Sequence, residues 1–169
     1  MVPVSGKKRI GKEIILITIR RIAAQDIPDA VRIEEICFSE PWSEEVYRAT
    51  LLLPYAFYYV AETEGDGSGQ RQIIGTCGFK AIAGEGEISN VAVLPAYRRK
   101  GAAHQMLERV LEDAAAMNIE DVSLEVREGN TAARSVYESF GFQTEGIRKN
   151  FYAKPVENAL IMWRRRKDL

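Results

Sequence analysis

The sequence has few of the residues that would assign it to several common classes of protein. Its 169 residues include 2 cysteines and 1 histidine, too few for a disulfide scaffold or a Cys/His metal cluster. The formal net charge of −1 offers none of the overall basic character of nucleic-acid-binding proteins. The apolar run from Ile14 to Ile19 is too short for a signal-peptide core or a membrane span. We therefore expect a cytoplasmic protein with no metal, no nucleic-acid partner and no membrane partner.

The two cysteines, Cys37 and Cys77, have apolar neighbours in the sequence, and we interpret both as small buried hydrophobic residues. A catalytic cysteine would need a histidine nearby, and His104 is the sole candidate. The hydrophobic content of 46% and the charged content of 28% are typical of a folded globular chain. A chain of this length forms one domain with a sizeable core, and we expect a monomer or a weak homodimer.

The hydrophobic pattern predicts a mixed α/β domain. Residues 1–17 are interpreted as a flexible basic extension and residues 18–169 as the single domain. Alternating or β-branched runs predict strands at 18–22, 56–61, 73–81, 87–93, 121–126 and 160–164. Helices are predicted after caps at Asp26 and Ser43, and over 101–117 and 131–140, with an exposed turn at 65–69. This order predicts a central mixed sheet of six to seven strands flanked by about four helices.

The stretch from Asn90 to Ala103 places a strand, a proline, a basic loop and the start of a helix in succession. Backbone N–H groups at a helix start lack intrahelical partners, and the helix dipole favours an anion there. Small residues at 101–103 would let this backbone approach a phosphate, and the basic residues at 98–100 add positive charge. The same pattern also fits a solvated basic loop before a tightly packed helix. Basic residues at a helix N-terminus interact unfavourably with the helix dipole. A bound anion would offset this interaction, so the conflict favours a ligand at this site.

Three of these residues, Arg98, Gly101 and Ala103, match the acetyl-CoA signature Q/R-x-x-G-x-G/A, and a Val-Ala-Val-x-Pro strand end precedes them. On these residues the sequence resembles the GNAT superfamily of N-acetyltransferases, and it is most similar to the RimI branch, the ribosomal-protein-alanine N-acetyltransferases. Further segments that resemble this branch follow in the same order: Cys37-Phe38, Pro41-Trp42-Ser43, Leu124-Glu125-Val126-Arg127, Tyr137 to Phe142, Arg148 to Tyr152 and Ala159 to Met162. The resemblance implies the GNAT acyl-CoA N-acyltransferase fold and acetyl-CoA as co-substrate.

The resemblance also implies which residues hold the co-substrate. The strand before the signature would pair with the pantetheine arm through its backbone, and one of its N–H groups would hold the developing oxyanion. The basic loop and the helix start would hold the pyrophosphate. Asn130 would contact the cofactor arm, or serve only as a helix cap. The implied cofactor-binding residues are Val91, Ala92, Val93, Arg98, Arg99, Lys100, Gly101, Ala102, Ala103, His104 and Asn130.

Two residues match the catalytic positions of the resembled family. Glu125 would act as general base, directly or through a water, and Tyr137 would act as general acid toward the CoA thiolate. The residues alone also permit a surface glutamate on an alternating strand and a tyrosine packed on the sheet. Trp42 and Tyr152 would shape the acceptor groove, although both also fit a packing role.

The chemistry of the acceptor narrows the expected activity. An α-amino group with a pKa of about 8 is roughly 10% neutral at pH 7, whereas a lysine with a pKa of about 10.4 is far less so. A glutamate is an adequate base for the first amine and a poor one for the second. This chemistry favours direct acetylation of an N-terminal α-amine in a ternary complex, and the resemblance implies that the acceptor is a ribosomal protein. A lysine or small-molecule amine acceptor, or an acyl-CoA sensor without catalysis, stays open.

Overall fold

The computed structural model describes residues 4–10, 13–64 and 69–166, with side chains described from residue 15 onward. Its strands are β1 (Val4–Ile10), β2 (Glu13–Arg21), β3 (Ala56–Thr63), β4 (Gln72–Ile82), β5 (Glu85–Val93), β6 (Asp121–Arg127), β7 (Gln143–Ala153) and β8 (Val156–Arg164). Its helices are α1 (Ile27–Cys37), α2 (Glu44–Leu51), α3 (Ala102–Ala116) and α4 (Thr131–Ser139), with short 3-10 turns at 24–26 and 95–97.

All of these strands belong to one sheet in the order β1-β2-β3-β4-β5-β6-β8-β7. Neighbouring strands are antiparallel except β5 and β6, which run parallel. The connection between these two strands contains α3, as a parallel crossover requires. The mixed α/β class is therefore confirmed, and the described sheet has 8 strands rather than six or seven.

The N-terminal segment differs from the expected flexible extension over 1–17. Val4–Ile10 pairs antiparallel with the first part of β2, which begins at Glu13 rather than at residue 18. The reason is hydrophobic burial, because Ile17 and Ile19 are 1% and 0% exposed in the main core. The first core-facing residue therefore falls inside the segment that was assigned to the extension.

Like β1, strand β7 is an element that the hydrophobic pattern does not predict. It pairs with β8 at the outer edge of the sheet, and its residues are almost all exposed. A strand with so little burial on either face lacks the alternation that marks a half-buried strand. The remaining strands and helices lie where the pattern predicts them, with shifts at their ends. Most of the predicted turn at 65–69 lies outside the described residues.

The helices cover both faces of the sheet. On one face, Met106 and Leu107 of α3 and Tyr137 of α4 pack in the main core. On the other face, Ala30 and Ile33 of α1 pack with residues of α2, β3 and β5 in two smaller clusters. The sheet is therefore buried on both sides along its central strands, where β3 and β4 are mostly buried.

The two predicted caps have different outcomes. Ser43 caps α2 as expected, because its hydroxyl accepts a hydrogen bond from the Val46 N–H at 3.3 Å. Asp26 precedes α1 but makes no side-chain cap. Its carboxylate instead accepts two hydrogen bonds from the Arg20 guanidinium, at 2.7 and 3.0 Å. None of the helices within the described ranges is long and apolar enough to cross a membrane.

Candidate active site

A gap opens in the sheet between the two parallel strands. β5 and β6 pair only from Glu85 and Asp121 to Ile88 and Leu124. Beyond that point β6 pairs only with β8, and β5 pairs only with β4. The edge of β5 from residue 89 to residue 93 that faces β6 therefore has no strand partner among the described residues.

The backbone N–H groups at this open edge can be identified. The Leu94 N–H donates to the Ile74 carbonyl of β4 at 2.9 Å. Successive N–H groups of a strand point to opposite edges, so the Ala92 N–H points to β4, and those of Val91 and Val93 point into the gap. Of the three residues whose backbone was predicted to pair with the pantetheine arm, Val91 and Val93 thus have N–H groups that face the gap, and the Ala92 N–H faces β4.

A bulge shapes the same part of β5. The register between β4 and β5 shifts between Cys77 and Phe79, and a Cβ at Gly78 would collide with the side chains of Ser89, Asn90 and Tyr58. Bulges bend a strand and re-aim its residues. The glycine therefore leaves room for the turn that takes β5 away from β6.

The predicted anion-binding loop has the geometry of a tight helix entry. Arg99 and Gly101 both have left-handed backbone conformations, with φ of 61° and 90°. The first hydrogen bond into α3 runs from the Gln105 N–H to the Gly101 carbonyl at 3.0 Å. The N–H groups of residues 102–104 therefore lack intrahelical acceptors and point out of the helix start. Because Gly101 has no Cβ, the left-handed turn is unstrained.

The basic side chains around this loop make different contacts. The Arg98 Nε donates to the Val93 carbonyl at 3.0 Å, so this guanidinium ties the loop to the end of β5. The Lys100 ammonium lies over the Tyr97 ring, 5.1 Å from its centroid. The exposed His104 stacks on Phe140, with ring centroids 4.5 Å apart.

Glu125 lies on the α1 and α2 face of β6, beside the gap. Its neighbours Leu124 and Val126 are buried in the main core on the other face, and alternation along the strand turns Glu125 away from them. Its side chain is 30% exposed, and its Oε1 lies 3.0 Å from the Arg148 Nε of β7. This position is compatible with a general base and with a surface glutamate, and it brings the carboxylate to the rim of the open edge.

Tyr137 lies on the opposite face, in the main core. It is 7% exposed, and its ring packs edge-on against Phe142, with centroids 6.1 Å apart. Burial raises the pKa of Tyr137 above its usual range, and the nearby Cys77 and Tyr152 add smaller contributions in the same direction. The hydroxyl therefore keeps its proton at neutral pH, as a proton donor must.

Tyr152 and Trp42, the two residues predicted to shape the acceptor groove, have different surroundings. Burial raises the pKa of Tyr152, and the charge of Glu125 contributes to the same shift. The Arg127 guanidinium covers the Tyr152 ring at 4.1 Å. Trp42 packs against the rings of Tyr47 and Tyr58, at 5.5 and 5.7 Å. Its ring therefore packs between α2 and β3.

Asn130 is the N-cap of α4. Its Oδ1 accepts a hydrogen bond from the Ala133 N–H at 3.2 Å. The capping role is thus confirmed, and the side-chain amide N–H groups remain available for another partner.

A buried carboxylate that the sequence analysis missed lies under the α1–α2 loop. Glu34 of α1 is 2% exposed and accepts hydrogen bonds from the Tyr47 hydroxyl at 3.0 Å, the Trp42 N–H at 3.3 Å and the Asn90 amide. Burial raises the pKa of Glu34 despite these donors. The signal was present in the sequence, because Glu34 falls on the apolar stripe of α1 with Ala30, Ile33 and Cys37. Glu34 joins this loop to the bulged part of β5.

The cysteines have unequal environments. Cys77 is fully buried, and burial raises the pKa of its thiol to about 12, so it stays protonated, as expected of a core residue. Cys37 is only half-buried, and its thiol donates to the Val93 carbonyl at 3.5 Å. Within the described part of the chain, no group of three His, Cys, Asp or Glu residues could hold a metal ion.

Comparison with known proteins agrees with this geometry. The model of the acetyltransferase (GNAT) family matches residues 27–142. A Bacillus subtilis protein, provisionally named a ribosomal protein bS18-alanine N-acetyltransferase, is 34% identical over 146 residues, covering 86% of this chain and 93% of its own. The Haemophilus ducreyi enzyme of that name is 34% identical over 149 residues, covering 85% and 97%. The crystal structure of the Escherichia coli ribosomal-protein-S18-alanine N-acetyltransferase superposes with a TM-score of 0.76 at 28% identity, covering 87% and 92%.

The sheet opens between its two parallel strands, and a helix starts near one end of the gap; together with these matches, the fold is that of an N-acetyltransferase. The chain belongs to the acetyltransferase (GNAT) family. It shares its fold with N-acetyltransferases along most of its length.

Proposed function

We propose that this enzyme transfers the acetyl group of acetyl-CoA to the N-terminal α-amine of an acceptor protein. We propose further that the acceptor is the counterpart of ribosomal protein bS18. The observation that carries the proposal is the open edge of β5, with Glu125 at its rim on one face of the sheet and Tyr137 buried on the other. The relatives named above for the same acceptor support it. The cytoplasm, where ribosomal proteins are made, is the location that goes with this proposal.

The described residues fit acetyl-CoA as co-substrate. The N–H groups of residues 102–104 and the basic residues Arg98, Arg99 and Lys100 suit a pyrophosphate. The N–H groups of Val91 and Val93 suit the amides and the thioester carbonyl of an extended arm, which would lie beside β5 as an additional strand. Two buried polar atoms without hydrogen-bond partners, Gln105 Oε1 and Arg134 Nε, belong to the first turns of α3 and α4. These atoms and Asn130 are further candidates for contacts with the same molecule.

In the proposed mechanism the chain contributes orientation, an oxyanion site and two proton transfers. Glu125 accepts the proton that the α-amine must lose before its nitrogen attacks the thioester carbonyl carbon. The Val91 or Val93 N–H stabilises the negative charge that develops on the carbonyl oxygen. Tyr137, which stays protonated at neutral pH, donates its proton to the departing sulfur. Neither cysteine takes part, so no acyl-enzyme forms.

The acceptor experiment uses radiolabelled acetyl-CoA and two peptides. Both begin Ala-Arg and carry an internal lysine, and one has a blocked N-terminus. We expect label only on the free peptide, since the carboxylate is an adequate base for an α-amine and a poor one for a lysine. Equal labelling of the blocked peptide would contradict the proposed acceptor class.

The catalytic assignment is tested with Glu125→Gln and a matched control. We expect Glu125→Gln to lower kcat by about 10²-fold without changing the Kd for CoA in calorimetry. Glu128→Gln is the control, because Glu128 lies just beyond the end of β6 and its exposed carboxylate accepts a hydrogen bond from the Asn158 amide. Loss of activity in both variants would indicate a general charge effect instead of a base.

A further inference from the structure

The cation that contacts Glu125 comes from the far edge of the sheet. The Arg148 Nε lies 3.0 Å from the Glu125 Oε1, although β8 separates β7 from β6. Ala159 of β8 pairs with both Arg127 and Arg148, so all three side chains share one face of the sheet. The small Ala159 side chain leaves a path over β8, along which the Arg148 side chain extends diagonally to Glu125.

This ion pair has little value as a structural bond. Arg148 is 55% exposed and Glu125 is 30% exposed, and exposed pairs of this kind contribute little to stability. Beyond Arg148 the register of β7 shifts until Tyr152, so the strand is not held by regular pairing there. The guanidinium also lies 5.4 Å from the centroid of the Phe151 ring, which provides a second contact that does not involve Glu125.

The other charged groups near Glu125 are already engaged. Arg127 bonds Glu157 at 3.0 Å and the Lys154 and Pro155 carbonyls at 3.0 and 3.2 Å. It also stacks on Tyr152, whose pKa is raised by burial and by the charge of Glu125. Among the described residues, Arg148 is therefore the one cation that forms an ion pair with Glu125.

We propose that Arg148 is the resident counter-ion of Glu125 and that the ammonium of the incoming acceptor takes its place. The proposal rests on the function proposed above. The acceptor binds as a cation beside the carboxylate that then removes its proton. Arg148 moves back toward Phe151 and solvent when the acceptor enters. Arg148 is thus a positioning residue that neutralises the Glu125 carboxylate until a cationic acceptor replaces the guanidinium, whereas an uncharged acceptor does not compete with it.

The proposal predicts opposite behaviour for a charged and a neutral ligand. In protein saturated with CoA, Arg148→Gln removes a competitor for Glu125, so a peptide beginning Ala-Arg should bind about threefold to fivefold more tightly, in keeping with the strength of an exposed pair. The same peptide with an acetylated N-terminus has no ammonium, and its Kd should change by less than about twofold. The peptide KM in turnover should fall with the Kd, whereas kcat should change less.

Two further variants separate this exchange from other effects. Arg148→Lys keeps a cation in reach of Glu125 and should restore the wild-type ratio of the two Kd values. Lys149→Gln removes a neighbouring exposed positive charge and should leave that ratio unchanged. Both peptides are measured by calorimetry with each variant, after circular dichroism has shown that the variants fold.

The outcomes distinguish this proposal from the proposed function. If Arg148→Gln weakens both peptides equally, Arg148 binds the peptide itself; if it changes neither, the pair is incidental. Either result overturns the exchange while labelling of the free peptide by the wild type still supports the proposed function. A wild-type protein that neither labels nor binds the free peptide overturns both.

Discussion

Glu125 and Tyr137 differ in how much water reaches them. Glu125 is about a third exposed and pairs with Arg148, whereas Tyr137 is buried against Phe142 with a raised pKa. A base needs access to the amine and to solvent. An acid that protonates a thiolate must still carry its proton when the thiolate forms. The two environments therefore suit the two proposed roles in opposite ways.

Replacing Tyr137 by Phe removes the proposed proton donor and keeps the ring that packs in the core. We expect kcat to fall by about 10²-fold with little change in the Kd for CoA, measured by steady-state kinetics and calorimetry. Tyr55→Phe is the control, because Tyr55 is exposed in the α2–β3 connection. An unchanged kcat in Tyr137→Phe would exclude Tyr137 as the acid.

The raised pKa of Tyr137 has a consequence for the pH profile. A tyrosine with an ordinary pKa of about 10 would begin to lose its proton near pH 9. Because burial raises the pKa of Tyr137 further, its protonated form persists to higher pH. We expect kcat to show no decline between about pH 8 and pH 10. A decline that disappears in Tyr137→Phe would contradict the described environment.

At the scale of elements, the loop before α3 combines a local backbone requirement with a proposed ligand contact. Gly101 has a φ of 90°, and Gly84 of the β4–β5 turn has a similar φ of 85°. A Cβ at Gly84 would meet nothing within 4 Å. The two positions therefore share the same left-handed backbone conformation, and only one of them lies at the proposed pyrophosphate site.

This pair of glycines allows a controlled test. Gly101→Ala and Gly84→Ala should each lower the free energy of unfolding by about 1 kcal/mol, because alanine disfavours a left-handed conformation. Only Gly101→Ala should also weaken CoA binding. Urea unfolding and calorimetry measure the two effects. Equal CoA affinity in both variants would contradict a phosphate contact at the start of α3.

A second element-scale contact joins the start of α1 to the sheet. Arg20 of β2 donates to Asp26 at 2.7 and 3.0 Å and to Glu62 of β3 at 2.9 Å. Burial acts to raise the pKa of Asp26, but the hydrogen bonds from Arg20 and the Ala23 N–H outweigh it and lower that pKa overall. A carboxylate with a lowered pKa stabilises the fold above its unfolded pKa, and this contribution is lost as pH falls through its folded pKa.

Replacing Asp26 by Asn tests this contact. At pH 7 we expect the free energy of unfolding to fall by about 2 kcal/mol, the value of hydrogen bonds to a charged group. The difference from wild type should shrink as pH falls below about 4, the pKa of an aspartate in the unfolded chain, and wild-type Asp26 takes up a proton. Asp29→Asn is the control, since Asp29 forms only an exposed pair with Arg32 at 3.3 Å. A difference independent of pH would exclude the charged contact.

At the scale of the whole molecule, the sheet separates the N-terminal hairpin from the proposed site. β1 is the outermost strand, and β2, β3 and β4 lie between it and β5. Changes at this edge therefore reach the open edge of β5 only through three intervening strands. The hairpin extends the sheet without contributing a residue to the proposed chemistry.

Two truncations test this separation. Deleting residues 1–12 removes β1 and should leave kcat and the Kd for CoA within about twofold, since no proposed site residue is lost. Deleting residues 1–17 also removes Ile17, which is 1% exposed, and should lower the free energy of unfolding by about 2 to 5 kcal/mol. Loss of CoA binding in the shorter deletion would contradict the assigned role of the hairpin.

Local order along the chain was enough to predict most of the fold. The aromatic and β-branched run of β3, the helical stripe of α3 and the Ser43 cap depend on neighbours a few residues apart, and each was predicted close to its observed range. The helix start at Gly101 was predictable for the same reason. β7 was missed because its exposed residues carry no such pattern.

The sequence by itself determined the mixed α/β class, the small-residue helix entry and the identities of Glu125 and Tyr137 as candidates. Only the tertiary structure decided that β5 leaves β6 after Ile88, that Tyr137 is buried, that Glu34 fastens the α1–α2 loop to Asn90, and that Arg148 contacts Glu125 across Ala159. These features depend on residues far apart in sequence, whose contacts arise from strand pairing and packing and leave no periodic mark on the chain.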